Sequence, residues 1–315
     1  MNAYQKTALT TVIAVVVLIT VGSLVRVDGA GLGCPDWPKC WGCWVPPSSI
    51  EELDMAYIKA KGYDINEFNP TKMWIEYINR MVGVLIGVLI FTTFLRSLPY
   101  RKSQPSIFRC SLFSVLLVGF QGWLGGQVVR SGLIPGIITL HMVLAVILVS
   151  VLIYTTFEAM KTKFEMSLPE ELKRFMIRIT TVLFILTCMQ LIIGTQVREA
   201  IDPFIKTPES LPRSQWLNSA GWYDHIHRAS SWLVLTAGIV LFRSVRKHEI
   251  MGILKGISTV ILVGIIFQML LGITLAYGDL PKAAQVMHVT VATLLICTEV
   301  FGILAVRRVS VASTV

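Results

Sequence analysis

Eight continuous apolar stretches, at roughly 8–26, 74–95, 110–129, 137–157, 176–197, 225–243, 255–276 and 284–306, each approach the ~20 residues a helix needs to cross a bilayer. Hydrocarbon offers no water to satisfy backbone N–H and C=O groups, so only helices and closed barrels span it. A barrel needs short segments of alternating polarity, and these runs do not alternate. The composition agrees, with 54% hydrophobic residues, 15% charged residues and a mean hydropathy of +0.67. A soluble enzyme is excluded. The first stretch is long for a signal-peptide core and lacks a small-x-small cleavage pattern, so it reads as the first membrane helix. The expected fold is an all-α polytopic membrane protein with eight transmembrane helices.

The formal charge of +9 is distributed by loop. Arg96, Arg101, Lys102 and Arg109 fall in the second loop, Lys161, Lys163, Lys173, Arg174 and Arg178 in or near the fourth, and Arg243, Arg246, Lys247 and Lys255 in the sixth. With Arg307 and Arg308 near the C-terminus, this places the even loops and both termini in the cytoplasm. Topology therefore absorbs most of the positive charge, and no soluble basic domain or recognition motif is left to bind nucleic acid.

Internal repetition is stronger evidence than charge. Gly22-Ser-Leu-Val-Arg26 closes the first stretch and Gly194-Thr-Gln-Val-Arg198 the fifth, with a looser Gly126-Gln-Val-Val-Arg130 after the third. A shift of 147 residues lays Gln121 on Gln268, Gly125 on Gly272, His141 on His288 and Ala145 on Ala292. A shift of 148 lays Asn79-Arg80 on His227-Arg228. Polar matches at one register inside apolar sequence are hard to obtain by chance. The chain is expected to comprise two pseudo-symmetric four-helix bundles, residues 1–160 and 161–315, related by an axis along the membrane normal.

Three of six cysteines, Cys34, Cys40 and Cys43, share the first outer loop. An oxidising compartment permits a disulfide there, and Pro35 and Pro38 supply turns that bring Cys34 towards Cys40. A structural staple is the simpler reading and a redox-active pair its rival, while Cys43 leaves the partner assignment open. Cys110, Cys188 and Cys297 lie in or beside apolar stretches, as small buried hydrophobes do.

An ionisable side chain inside a spanning helix is costly and marks function by default. His227 and His288 both enter their helices from the outer side, within one to two turns of the interface. For one such histidine a packing hydrogen bond is the simpler reading. Two at equivalent ends of alternate helices, with a related position in the other half, fit bis-imidazole ligation of a haem b. Ser231, Gly238 and Ala292 leave room for a flat ring. His225 and His248 read as solvated, and the outer arginines Arg26, Arg80, Arg130, Arg198 and Arg228 either snorkel or meet haem propionates.

The first half differs. Glu76, Arg80, Gly83 and Gly87 share one helical face, and Asn79 is no axial ligand comparable to imidazole. Only His141 is an evident ligand there, which leaves one haem face open, as suits oxygen chemistry. Glu76 is either a structural partner of Arg80 or a group that stabilises charge on a substrate.

Taken together, the duplicated halves, Gly-Leu-Gly-Cys34-x5-Cys40-Trp-Gly, Glu76-Tyr-x-x-Arg80, His141, His227-Arg228 and His288 resemble the haem A synthase family over nearly the whole chain. The resemblance implies that the C-terminal half holds haem b between His227 and His288 and that the N-terminal half receives haem O. It implies oxidation of the C8 methyl group of haem O to a formyl group, giving haem A for cytochrome oxidase. Glu76 matches the catalytic acid, and Cys34 and Cys40 match the family's outer-loop cysteines, here expected as a disulfide. Better-known members carry histidine where this chain has Asn79, and some have a second cysteine pair in the third outer loop that is absent here. Binding of the substrate haem is assigned to His141, Asn79 and Arg80, and that of haem b to His227, His288 and Arg228.

The expected setting is the inner membrane, with the haem sites towards the outer face. Expected partners are the lipid bilayer, an unidentified electron donor and the haem O synthase that supplies the substrate; a homo-oligomer is left open. The rival from another class is a non-catalytic dihaem electron carrier. A transporter lacks support, since no pair of broken helices or midplane charge is evident.

Overall fold

The computed structural model describes residues 1–160, 166–206 and 211–311. It is all-α apart from two short paired parallel strands, Ser167–Leu168 and Ser310–Val311. The helices are α1 (Ala3–Val27), α2 (Met55–Lys61), α3 (Pro70–Ser97), α4 (Tyr100–Ser103), α5 (Pro105–Arg130), α6 (Pro135–Met160), α7 (Glu170–Lys206), α8 (Trp222–Lys247), α9 (Ile253–Tyr277) and α10 (Lys282–Arg308). Seven of these, all but α2, α4 and α8, are long and apolar enough to cross a membrane. Helix α8 has the same length at 26 residues, but Asp224, His225, His227 and Arg228 fill its first turns and lower its hydropathy. Lys161, Lys163 and the expected boundary at 160/161 touch the segment outside the described residues.

Every long helix outruns the apolar stretch that announced it, because caps lie beyond the hydrocarbon. Asn2 closes a capping box with Gln5 at the start of α1. Pro70 and Pro105 occupy the first turns of α3 and α5, where a missing N–H costs nothing. Helix α7 continues furthest past its apolar core, through Arg198, Glu199 and Asp202.

Helices α1, α3, α5 and α6 pack in succession, as do α7, α8, α9 and α10, while α10 also meets α1 and α6. Each group has its own apolar core. One gathers Val15, Ile86, Ile90, Leu117, Val149 and Leu152, the other Met176, Leu183, Leu241, Ile261, Ile265 and Leu295. With lipid as the alternative environment, such helices associate by close packing and by hydrogen bonds between them. Thr11 to Thr93, at 2.8 Å between hydroxyl oxygens, is one of those bonds.

The segment between α1 and α3 folds into a cap. Trp41, Leu53, Ile58 and Met73 surround buried Cys34 and Cys40, whose sulfurs lie at bonding distance, 1.94 Å. Asp36 accepts hydrogen bonds from the Trp41 and Gly42 N–H groups at 2.6 and 2.8 Å and from the Tyr57 hydroxyl at 3.2 Å. Cys43 keeps a free thiol and joins Cys40 through the backbone only, with N–H···O distances of 2.9 and 3.1 Å.

Candidate functional site

One cavity of about 1890 Å³ reaches into both helix groups. Ordinary small-molecule pockets stop at about 1,000 Å³. Its walls include His141, His227 and His288 together with Glu76, Asn79, Arg80 and Arg228, so residues separated by more than 200 positions share one space.

The three histidines are held alike. Gln121, Gln190 and Gln268 each donate from Nε2 to the backbone carbonyl of His141, His227 and His288, at 3.0, 3.1 and 3.0 Å. Four residues beyond each glutamine stands a glycine facing the imidazole. A methyl added at Gly125, Gly194 or Gly272 would lie 3.6, 3.1 or 3.6 Å from the Cε1 of His141, His227 or His288. Glutamine and glycine one helical turn apart thus fix the carbonyl and admit the ring. None of these rings has a hydrogen-bond partner among the described residues, and each Nδ1 is buried. Each imidazole thus keeps its ring nitrogens free of protein partners beside the cavity.

The ring centres of His227 and His288 stand 6.3 Å apart. Two metal–nitrogen bonds of roughly 2 Å, extended to the ring centres, span about that distance. The residues therefore fit a haem clasped between two imidazoles. His225 and His248 are exposed.

At the fourth position of this pattern the support and the ligand are both absent. Asn79 replaces histidine, Leu18 stands where the repeat places Gln190, and the space beside Gly22 is empty to 4 Å. The Asn79 Oδ1 is buried without a partner.

Beside it, Glu76 is buried, with 3% exposure. Its Oε2 accepts from the Cys34 N–H at 2.9 Å, and its Oε1 is ion-paired with Arg80. Arg80 also donates to the carbonyls of Asp36 and Lys39 at 2.9 Å each, so the cap, the disulfide segment and the carboxylate form one network. Extending the 148-residue shift shows a match that sequence reading missed: Trp74 falls on Trp222 and Glu76 on Asp224. Asp224 pairs with Arg228 at 2.6 Å as Glu76 does with Arg80. The acid is thus duplicated and buried in both halves, and what distinguishes Glu76 is the cap, which donates the Cys34 N–H to it and covers its arginine. The Arg228 side chain stays 42% exposed, against 10% for Arg80.

The two groups meet at the cap end of the cavity through matched arginines. Arg26 and Arg198 both pair with Asp202, at 2.6 and 3.1 Å, and Arg198 donates to the Arg26 carbonyl at 3.1 Å. Glu199 accepts from Thr139 of α6 at 2.8 Å. Arg130 instead covers Trp37 and donates to its carbonyl at 3.1 Å.

A family model described as Cytochrome oxidase assembly protein (COX15-CtaA) matches residues 5–300 of the chain. Relatives carry the name Heme A synthase. That of Shewanella oneidensis is 34% identical over 143 residues, a match spanning 45% of this chain and 42% of that protein. That of Wolbachia pipientis wMel is 24% identical over 332 residues, spanning 94% of this chain and 90% of the relative. A third, from Wolbachia sp. subsp. Brugia malayi, is 25% identical over 313 residues, spanning 88% of each.

Proposed function

Because the chain belongs to the COX15-CtaA family of cytochrome oxidase assembly proteins, we propose that it is a haem A synthase, a membrane oxidoreductase that converts the C8 methyl group of haem O to a formyl group. The observation that carries this reading is the unequal repeat. Three histidines share one cradle of glutamine and glycine, and at the fourth position Asn79 lies beside the buried Glu76. A carrier of electrons through two equivalent haems has no need of that inequality.

On this reading residues 161–315 hold haem b between His227 and His288, and Arg228, exposed beside the cavity, meets its propionates. Bound haem b supplies electron storage next to the substrate half. Residues 1–160 would receive haem O, held by His141, with Asn79 and Arg80 lining the same cavity. Glu76, oriented by Arg80 and the Cys34 N–H, would be the proton acceptor beside the bound substrate. The Cys34–Cys40 pair staples the cap over that carboxylate. We further read α8 as an eighth spanning helix, with two pseudo-symmetric bundles, both termini cytoplasmic and the haem sites towards the outer face of the inner membrane. The partners on this reading are a haem O synthase and an electron donor.

Pigment extraction from membranes that express the chain with a haem O source tests the assignment. Wild type is expected to accumulate haem A. Glu76→Gln is expected to lower its formation by about 10²–10⁴-fold, the usual size of a general acid–base contribution, while haem b stays bound. Undiminished haem A in Glu76→Gln would remove Glu76 from the chemistry, and no haem A from wild type would favour the electron carrier.

A further inference from the structure

The C-terminal half buries a carboxyl group that the reading above leaves unused. Glu299 lies on α10 eleven residues beyond His288, roughly 16 Å further along the helix, and is 0% exposed. Its Oε1 lies 2.8 Å from the Thr187 Oγ1 of α7, and its Oε2 has no partner among the described residues. Thr187 lines the same cavity as His227 and His288.

The contact has two settings. The Thr187 hydroxyl also sits 3.0 Å from the Leu183 carbonyl oxygen. One hydroxyl carries one proton. When Thr187 donates to Glu299, one carboxylate oxygen gains a donor; when it donates to Leu183, the contact closes only if Glu299 is protonated and donates in turn. No basic side chain among the described residues is paired with Glu299. The titratable neighbour facing it is the Cys188 thiol of α7, and α1, α6 and α9, which also pack on α10, place no ionisable group in hydrogen-bond contact with it.

The repeat shows that packing does not require this acid. The shift of 147 puts Glu299 on Leu152, and the shift of 172 puts Thr187 on Val15. Leu152 and Val15 sit together in the apolar core of the N-terminal half. One half fills this level with two hydrocarbons, whereas the other buries an acid and a hydroxyl below its histidine pair, against a desolvation cost of several kcal/mol for any unpaired charge.

Resting on the assignment of haem b to this half, we propose that Glu299, switched through Thr187, is the redox-linked protonation site of the C-terminal haem. Glu299 is ionised while the iron is ferric and binds one proton for the electron that makes it ferrous. The electron comes from an external one-electron donor, in the test a quinone-type mediator, and the proton comes from water and ends on a carboxyl oxygen; no porphyrin bond changes. The ferric centre carries one more positive charge than the ferrous, which favours the carboxylate across a low-dielectric interior. Proton uptake keeps the net charge of this half constant as electrons pass through it.

Spectroelectrochemical titration of the purified full chain with bound haem b, from pH 6 to 9, tests this. The midpoint potential of wild type is expected to fall as pH rises, by up to about 59 mV per tenfold drop in proton activity for one proton per electron. Glu299→Gln is expected to flatten the slope, and Thr187→Val to move the pH range in which it appears. A pH-independent wild-type potential, an unchanged slope in Glu299→Gln, or a Thr187→Val curve that overlays wild type would overturn the proposal. Should Glu299→Gln not fold, the reduced-minus-oxidised infrared spectrum of wild type decides: a protonated-carboxyl C=O band, shifted in D2O, is expected on reduction, and its absence rejects the site. Wild type without any b-type spectrum would instead sink the haem b assignment, and the proposal with it.

Discussion

Gly194 admits an imidazole more tightly than its repeats do, since a methyl there would stand 3.1 Å from His227 Cε1. Gly194→Val is therefore expected to push His227 off its axis, costing about 1–3 kcal/mol of overpacking and most of the b-type absorbance of the purified protein. Unchanged absorbance would show that the ring is free to retreat. The opposite change is informative at Asn79, where the space beside Gly22 is open. Asn79→His is expected to give the N-terminal half a second imidazole and convert its haem O complex to a six-coordinate low-spin form, read by electron paramagnetic resonance; a persistent high-spin signal counts against His141 facing Asn79 across the iron. At this scale the sequence was informative because histidines inside apolar stretches, and the glycines that admit their rings, recur at one register. Sequence reading passed over Glu299, although its place inside the 284–306 stretch marks it as costly, and over Glu199, whose partner comes from the other helix group.

The element that changes the chemistry is the cap between α1 and α3. Its only covalent tie, Cys34–Cys40, closes a short loop, worth about 2 kcal/mol in the chain-entropy account. That loop presents the Cys34 N–H to Glu76 and two carbonyls to Arg80. Cys34→Ser with Cys40→Ser is expected to expose residues 30–69 to protease and to lower haem A formation while leaving haem b bound; equal protection of both proteins would remove the staple's role. Element boundaries were harder to read than element existence. Apolar runs report the hydrocarbon thickness, but α7 continues through Arg198, Glu199 and Asp202 because those side chains are paired against the neighbouring half. Helix α8 was legible as the apolar stretch at 225–243, although the polar residues of its first turns make it less apolar than the seven other long helices.

At the scale of the whole molecule, Asp202 receives one arginine from each half. Asp202→Asn removes the carboxylate from both, leaving Arg198 only its bonds to Gln285 and the Arg26 carbonyl, whereas Arg26→Ala leaves Arg198 paired with Asp202. Hydrogen bonds to charged groups contribute about 1.5–3 kcal/mol, so Asp202→Asn is expected to lower the Tm in detergent, followed by haem absorbance, more than Arg26→Ala does. The reverse order would place the stabilising contact elsewhere. The sequence by itself determined that this chain folds from apolar helices of membrane length, and it picked out the histidines that line the cavity, because hydropathy and repeated polar residues act locally and at a constant register. Only the tertiary structure decided that the cap bonds Glu76, that Arg80 is held by the cap while Arg228 stays open, and that both helix groups line one cavity. Those properties depend on what packs against a side chain from distant parts of the chain, and no local pattern encodes it.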